Sequence, residues 1–78
     1  MIDGKELMRR RKAKNLSQES LANMVGVTRN AVNRMEAETK DPSLATAAML
    51  ADALGCMIDD LILPSHRAKK ARKDIPAS

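Results

Sequence analysis

At 78 residues, 44% hydrophobic and 31% charged, the chain is sized for one small globular domain; a chain this short buries only about 60–65% of its unfolded surface, which excludes two independent cores. No Phe, Trp or Tyr is present, so Leu, Ile, Val, Ala and six Met must supply the core, and a single cysteine excludes an internal disulfide framework. The net charge of +4 comes entirely from residues 64–78, which hold five basic side chains and one acid, because residues 1–63 balance nine against nine.

Asp3, with Glu6 three residues on, reads as a capping box that opens a first helix over about residues 4–14. The cationic run Arg9-Arg10-Arg11-Lys12 lies on it, and Asn15, tolerant of left-handed backbone, ends it. Ser17 is the next N-cap, Leu21, Ala22 and Val25 follow at helical spacing, and Gly26 stops this second helix after about residue 25. Thr28 caps a third helix whose inner face is Ala31, Val32 and Met35. Two helices joined by a tight glycine-containing turn make a helix-turn-helix unit. Glu38 to Pro42 is a polar loop, and Ser43 caps a fourth helix with Leu44, Ala47, Leu50, Ala51 and Leu54 at 3.6-residue spacing, closed by Gly55. Cys56 sits in the apolar stretch that follows and is expected to be a small half-buried core residue.

Ile58, Leu61 and Ile62, with Asp59 and Asp60 in the first turn, make a short fifth helix whose acids complement its dipole, and Pro64 stops the fold. The expectation is an all-α, five-helix domain over residues 1–63 and a flexible basic tail over residues 64–78. No apolar run approaches the ~18 residues of a membrane span, and Met1-Ile2-Asp3-Gly4 does not open a signal peptide, so a cytoplasmic location with no membrane partner is expected.

Charge is distributed unevenly within the balanced part. Residues 5–34 hold eight basic and two acidic side chains, residues 35–63 one basic and six acidic, so one half is suited to a polyanion and the other is not. On the third helix Arg29, Asn30, Asn33, Arg34 and Ala37 fall at i, i+1, i+4, i+5 and i+8, an acid-free stripe opposite Val32 and Met35. Ordinary solvated faces mix Glu with Lys. Arg can donate twice to guanine O6 and N7 and Asn can pair bidentately with adenine, so Arg29, Asn30, Asn33 and Arg34 are the candidates for reading bases of double-stranded DNA in the major groove.

Leu16-Ser17-Gln18-Glu19-Ser20-Leu21-Ala22, Val25-Gly26-Val27-Thr28, Glu36, Pro42-Ser43-Leu44 and Ala51-Asp52-Ala53-Leu54-Gly55 resemble the phage repressor and Cro-type (XRE-like) helix-turn-helix family over about residues 5–63. The resemblance implies a lambda-repressor-like fold and a sequence-specific transcriptional regulator. It implies a phosphate contact for Gln18, a base-edge position for Arg29, Asn30 and Arg34, and a structural ion pair between Arg11 and Glu36. Thr39 and Lys40 match a loop with which the family touches the DNA backbone. Thr28 and Arg10 complete the phosphate candidates, although Arg10 stands where the family is often apolar. Asn15 stands where the family usually has Gly and Met57 where it often has a Ser or Thr cap, so the chain departs from the family pattern at the end of helix 1 and at the start of helix 5.

One helix in one groove contacts few base pairs, so a homodimer on an inverted repeat is expected, as in Cro-like repressors and controller proteins. The resemblance puts the partner contact around helix 5 and the turn before it, which makes Leu54, Met57, Ile58 and Leu61 the interface candidates, with core packing an equal explanation for some of them. An alternative is an antitoxin or adaptor that holds a partner protein, with residues 64–78 folding on it. Catalysis finds no support: P-loop, His-Glu-x-x-His and paired-cysteine motifs are absent, and the glycines are scattered at 4, 26 and 55. His66 has no second ligand nearby, so neither a metal nor a cofactor is expected.

Overall fold

The computed structural model describes residues 2–62; the tail expected over residues 64–78 lies outside the described residues. Four α-helices run in chain order, α1 Gly4–Ala13, α2 Gln18–Val25, α3 Arg29–Glu36 and α4 Leu44–Leu54, followed by a 3-10 helix, Ile58–Leu61. Each α-helix begins where a short polar side chain satisfies a free amide of the first turn. Asp3 accepts from the Glu6 N–H, Ser17 from Ser20, Thr28 from Ala31 and Ser43 from Thr46. The ends are equally local: Asn15, Gly26 and Gly55 take the left-handed conformation at φ 58°, 74° and 69° and turn the chain out of α1, α2 and α4.

Three expectations change. The capping box on α1 is only half formed, because the Asp3 N–H donates to the Leu61 carbonyl at 2.7 Å while the Glu6 carboxylate turns to Arg9 and Arg10. The fifth helix is a single 3-10 turn in which the Asp60 N–H reaches the Met57 carbonyl and the Asp60 carboxylate accepts the Met57 N–H, both at 3.0 Å. Leu44 has the right phase for the core but is 77% exposed, because α4 begins beyond the last packed layer. Its side chain instead lines an open apolar groove of about 260 Å³ with Ile2, Pro42, Ala47, Ile58 and Ile62.

The core is one cluster: Ile2, Leu7, Leu21, Ala22, Val25, Val32, Met35, Leu50, Ala51, Leu54 and Leu61, with Leu16, Val27, Ala31, Ala53, Cys56 and Ile58 packed around it. Helix α2 packs on α3 and α4, α1 on α3 and the 3-10 helix, and α4 on the 3-10 helix. An antiparallel bridge between Ile2 and Ile62 brings the two ends of the described chain together. With no aromatic side chain, each buried Leu carries a large share of the stability, ~1.5–3 kcal/mol of transfer free energy apiece. Among the described residues no helix is long and apolar enough to cross a membrane.

Candidate nucleic-acid interface

The fold anchors α3 by one face and leaves the other open. Val32, Met35 and Glu36 are buried, while Arg29, Asn30, Asn33, Arg34 and Ala37 are all exposed. The side chains of Arg29, Asn30, Asn33 and Arg34 hold no hydrogen bond or ion pair among the described residues, and the only acid of α3, Glu36, points the other way. Four long polar side chains with unused donors thus stand on one rigid helix. Base recognition requires that combination, since donors already engaged in the fold cannot bond a base edge.

Behind this stripe, a buried polar knot ties α1, α2 and α3 together. Arg11 donates through Nε to Glu36 Oε2 at 2.6 Å and through a terminal nitrogen to Oε1 at 3.3 Å, and its other terminal nitrogen donates to the Leu16 carbonyl at 2.7 Å. Gln18 Nε2 donates to Glu36 Oε1 at 3.0 Å. Every buried side-chain polar atom of the described residues has a partner, so the knot does not leave the unsatisfied charge that makes buried ions costly. It fixes the C-terminal end of α3 relative to the start of α2.

The phosphate candidates divide. Thr28 is exposed at the start of α3, its Oγ capping the helix while the hydroxyl proton remains available. Thr39 donates its hydroxyl to the Arg34 carbonyl at 3.2 Å, and Lys40 beside it is exposed. Gln18 stands at the first position of α2, half-buried, with its amide directed to Glu36. Arg10 stands apart: its Nε donates to Glu6 at 2.7 Å, and a terminal nitrogen lies 3.9 Å from Asp60. One residue is about 100° of helix, so Arg10 faces the 3-10 helix while Arg11 faces α3. Its guanidinium is committed to acids away from the stripe.

The proposed dimer contacts also divide. Leu54 and Leu61 are each 3% exposed and belong to the core of the protomer, the role that core packing alone would give them. Met57 is 70% exposed and Ile58 half-buried. They join Ala48, Asp52 and Cys56 in a shallow apolar depression beside the end of α4. Burial pushes the Cys56 thiol above its ordinary pKa, with the Arg10 charge opposing, so the thiol is held protonated.

Sequence reasoning missed three residues that shape this surface. Glu38 takes a positive φ of 62° directly after α3, and its carboxylate accepts the Gly4 N–H at 2.8 Å. Asp41 accepts the Ile2 N–H at 3.0 Å. Gly4 is buried where a Cβ would come within 2.2 Å of the Glu36 carbonyl oxygen. A glycine at the first position of a helix, where it lowers helix propensity, was the one available signal.

A helix-turn-helix family model (HTH_3) matches residues 7–61. Among solved structures, the P22 c2 repressor in complex with synthetic operator 9T is 30% identical, with 81% of this chain and 96% of that chain covered and a TM-score of 0.77. The restriction-modification controller protein C.AhdI from Aeromonas hydrophila is 37% identical, with 76% of this chain and 89% of that chain covered and a TM-score of 0.71. ClgR, the clp gene regulator from Corynebacterium glutamicum, is 23% identical, with 95% of this chain and 82% of that chain covered and a TM-score of 0.72, a likeness of fold. Among curated proteins, none matches.

Proposed function

The chain belongs to the helix-turn-helix family of DNA-binding transcriptional regulators, and from that premise we propose that it reads an inverted-repeat operator as a cytoplasmic homodimer, in the manner of a Cro-like repressor or a controller protein. It acts by binding, without catalysis. The single observation that carries this reading is the acid-free stripe of α3, where Arg29, Asn30, Asn33 and Arg34 stand exposed with unused donors on a helix anchored from behind. With α3 in the major groove, the two arginines suit guanine edges and the two asparagines adenine edges. Thr28 at one end of α3 and Thr39 and Lys40 beyond the other would meet the phosphates that border the groove, with Gln18 at the start of α2. The P22 c2 repressor, similar over most of its length, is seen in complex with a synthetic operator.

The basic residues 64–78 would add attraction to any phosphate backbone, because each neutralised phosphate releases counterions whatever the sequence. Two copies would supply the discrimination that one helix lacks, with their recognition helices about one DNA turn, ~34 Å, apart. The test is selection from genomic fragments by the purified protein. An enriched inverted repeat is expected, and Arg34→Ala should lower affinity for it by ~1–3 kcal/mol while relaxing preference at one position per half-site. Failure to enrich any sequence, or an equal loss on random DNA, would remove the base-reading role.

A further inference from the structure

The loop between α3 and α4 carries two acids, Glu38 and Asp41, on either side of Thr39 and Lys40. Placed beside a surface that must meet a polyanion, two carboxylates would repel it. Both are instead turned back on the N-terminal segment. Glu38 Oε2 accepts the Gly4 N–H at 2.8 Å and Asp41 Oδ1 accepts the Ile2 N–H at 3.0 Å, while the Asp3 N–H between them goes to the Leu61 carbonyl. The Gly4 amide belongs to the first turn of α1, where a backbone donor has no partner within the helix and the dipole is positive, so a carboxylate there is both bonded and partly neutralised.

The approach is close enough to demand glycine. A Cβ on Gly4 would stand 2.2 Å from the Glu36 carbonyl oxygen and 2.8 Å from Glu38 Cγ, so α1 starts against the backbone that ends α3. Glu38 holds φ at 62°, a conformation that residues with side chains adopt reluctantly, and this turns its carboxylate toward α1. On the other side, both the N–H and the hydroxyl of Thr39 are bonded to the Arg34 carbonyl. The loop is thereby tied to α1 through Glu38 and Asp41 and to α3 through Thr39.

We propose that Glu38 and Asp41 are positioning residues for DNA binding: their carboxylates clamp the loop carrying Thr39 and Lys40 to the start of α1 and so fix the register of these two side chains against the phosphate backbone. This rests on the DNA-binding reading above. It makes the acceptor oxygen of an acidic side chain support the binding of a polyanion, the opposite of what the charge alone predicts.

The experiment measures the affinity of Glu38→Ala and Glu38→Gln for the selected site and for a random duplex across a salt series, with far-UV circular dichroism melts alongside. Losing the clamp should lower affinity ~5-fold, the worth of one net hydrogen bond, for the selected site and the random duplex alike, because the contacts it aligns are to phosphates that carry no sequence. Glu38→Gln, which keeps an acceptor oxygen and loses the same charge, should bind the selected site within about twofold of the parent. Equal tightening by both variants on both DNAs would show a merely repulsive charge, and an unchanged affinity in Glu38→Ala, or a loss in Glu38→Gln as large as in Glu38→Ala, would also overturn the proposal. If Glu38→Ala does not fold at the assay temperature, Asp41→Ala carries the same expectations through the Ile2 amide. Hydrogen exchange of the Gly4 amide in the free protein should quicken in Glu38→Ala. That readout stands even if the parent selects no site, which would sink the DNA-binding reading and leave the clamp itself intact.

Discussion

Arg11 and Glu36 are 10% and 2% exposed at their side chains, so the stability of the knot depends on both charges being present together. Removing one partner leaves the other charge buried without compensation, for which ~3–5 kcal/mol is expected. Glu36→Gln should therefore lower the thermal midpoint steeply, followed by helical ellipticity since there is no Trp or Tyr to report. The double variant Arg11→Met with Glu36→Leu should lose less than Glu36→Gln alone. A double variant at least as unstable as the single one would mean that the pair itself, not the avoidance of a lone charge, stabilises the domain. Glu6 makes a milder and pH-dependent contribution. Its carboxyl is held below its ordinary value of 4.5, first by the hydrogen bond from Arg9, with desolvation opposing and Arg10 assisting. A carboxyl with a depressed folded pKa contributes stability that is present above its unfolded value and is lost as pH falls through the folded one. Thermal midpoints should therefore drop on acidification below pH ~4.5, and Glu6→Gln should flatten that part of the profile. An identical acid limb in the variant would assign the loss to other carboxyls.

Helix boundaries were legible because their causes are local. Ser17, Thr28 and Ser43 cap the amides three residues ahead, and Asn15, Gly26 and Gly55 adopt the left-handed turn their residue types favour. The exposed stripe of α3 was legible for a similar reason, since a helical wheel needs only the period and the buried Val32 and Met35 to orient it. What escaped depends on pairs distant in sequence. No composition rule leads from Glu38 to the Gly4 amide 34 residues away, and phase alone could not show that Leu44 lies beyond the end of the core. The two classes of glycine can be told apart by experiment. At Gly26 a Cβ meets nothing within 4 Å, so Gly26→Ala should cost only the left-handed strain, ~1–2 kcal/mol. Gly4 has an ordinary helical conformation, yet Gly4→Ala must displace the end of α3, so it should destabilise by more than Gly26→Ala and also weaken operator binding. Chemical denaturation of the two variants checks the order. If Gly4→Ala were the milder change, the contact between α1 and the end of α3 would be looser than its geometry implies.

For the molecule as a whole, a core without aromatic side chains, and the proposal that each chain reads bases with one helix, both favour pairing of two copies. Leu54 and Leu61 are buried in the core, and two apolar surfaces border the 3-10 helix, the groove that holds Leu44 and the depression of Ala48, Cys56, Met57 and Ile58; the second contains the interface candidate Met57. Met57 is its most exposed member, with 70% of its surface open and no role in the core cluster. Met57→Glu should therefore leave the thermal midpoint of a dilute monomeric sample nearly unchanged while placing a charge on each side of a two-fold contact, where two like charges repel across desolvated surface. Sedimentation equilibrium should show the parent as a dimer at micromolar concentration and the variant as a monomer. On DNA, the variant should lose affinity for the full inverted repeat much more than for an isolated half-site, because only the full site benefits from linking two binding events. The Cys56 thiol offers an independent readout, since its alkylation, already slowed by the raised pKa, should slow further as protein concentration rises and the depression is covered. A parent that stays monomeric on its full site, or a Met57→Glu variant that dimerises as well as the parent, would move the two-fold axis to another face of the molecule.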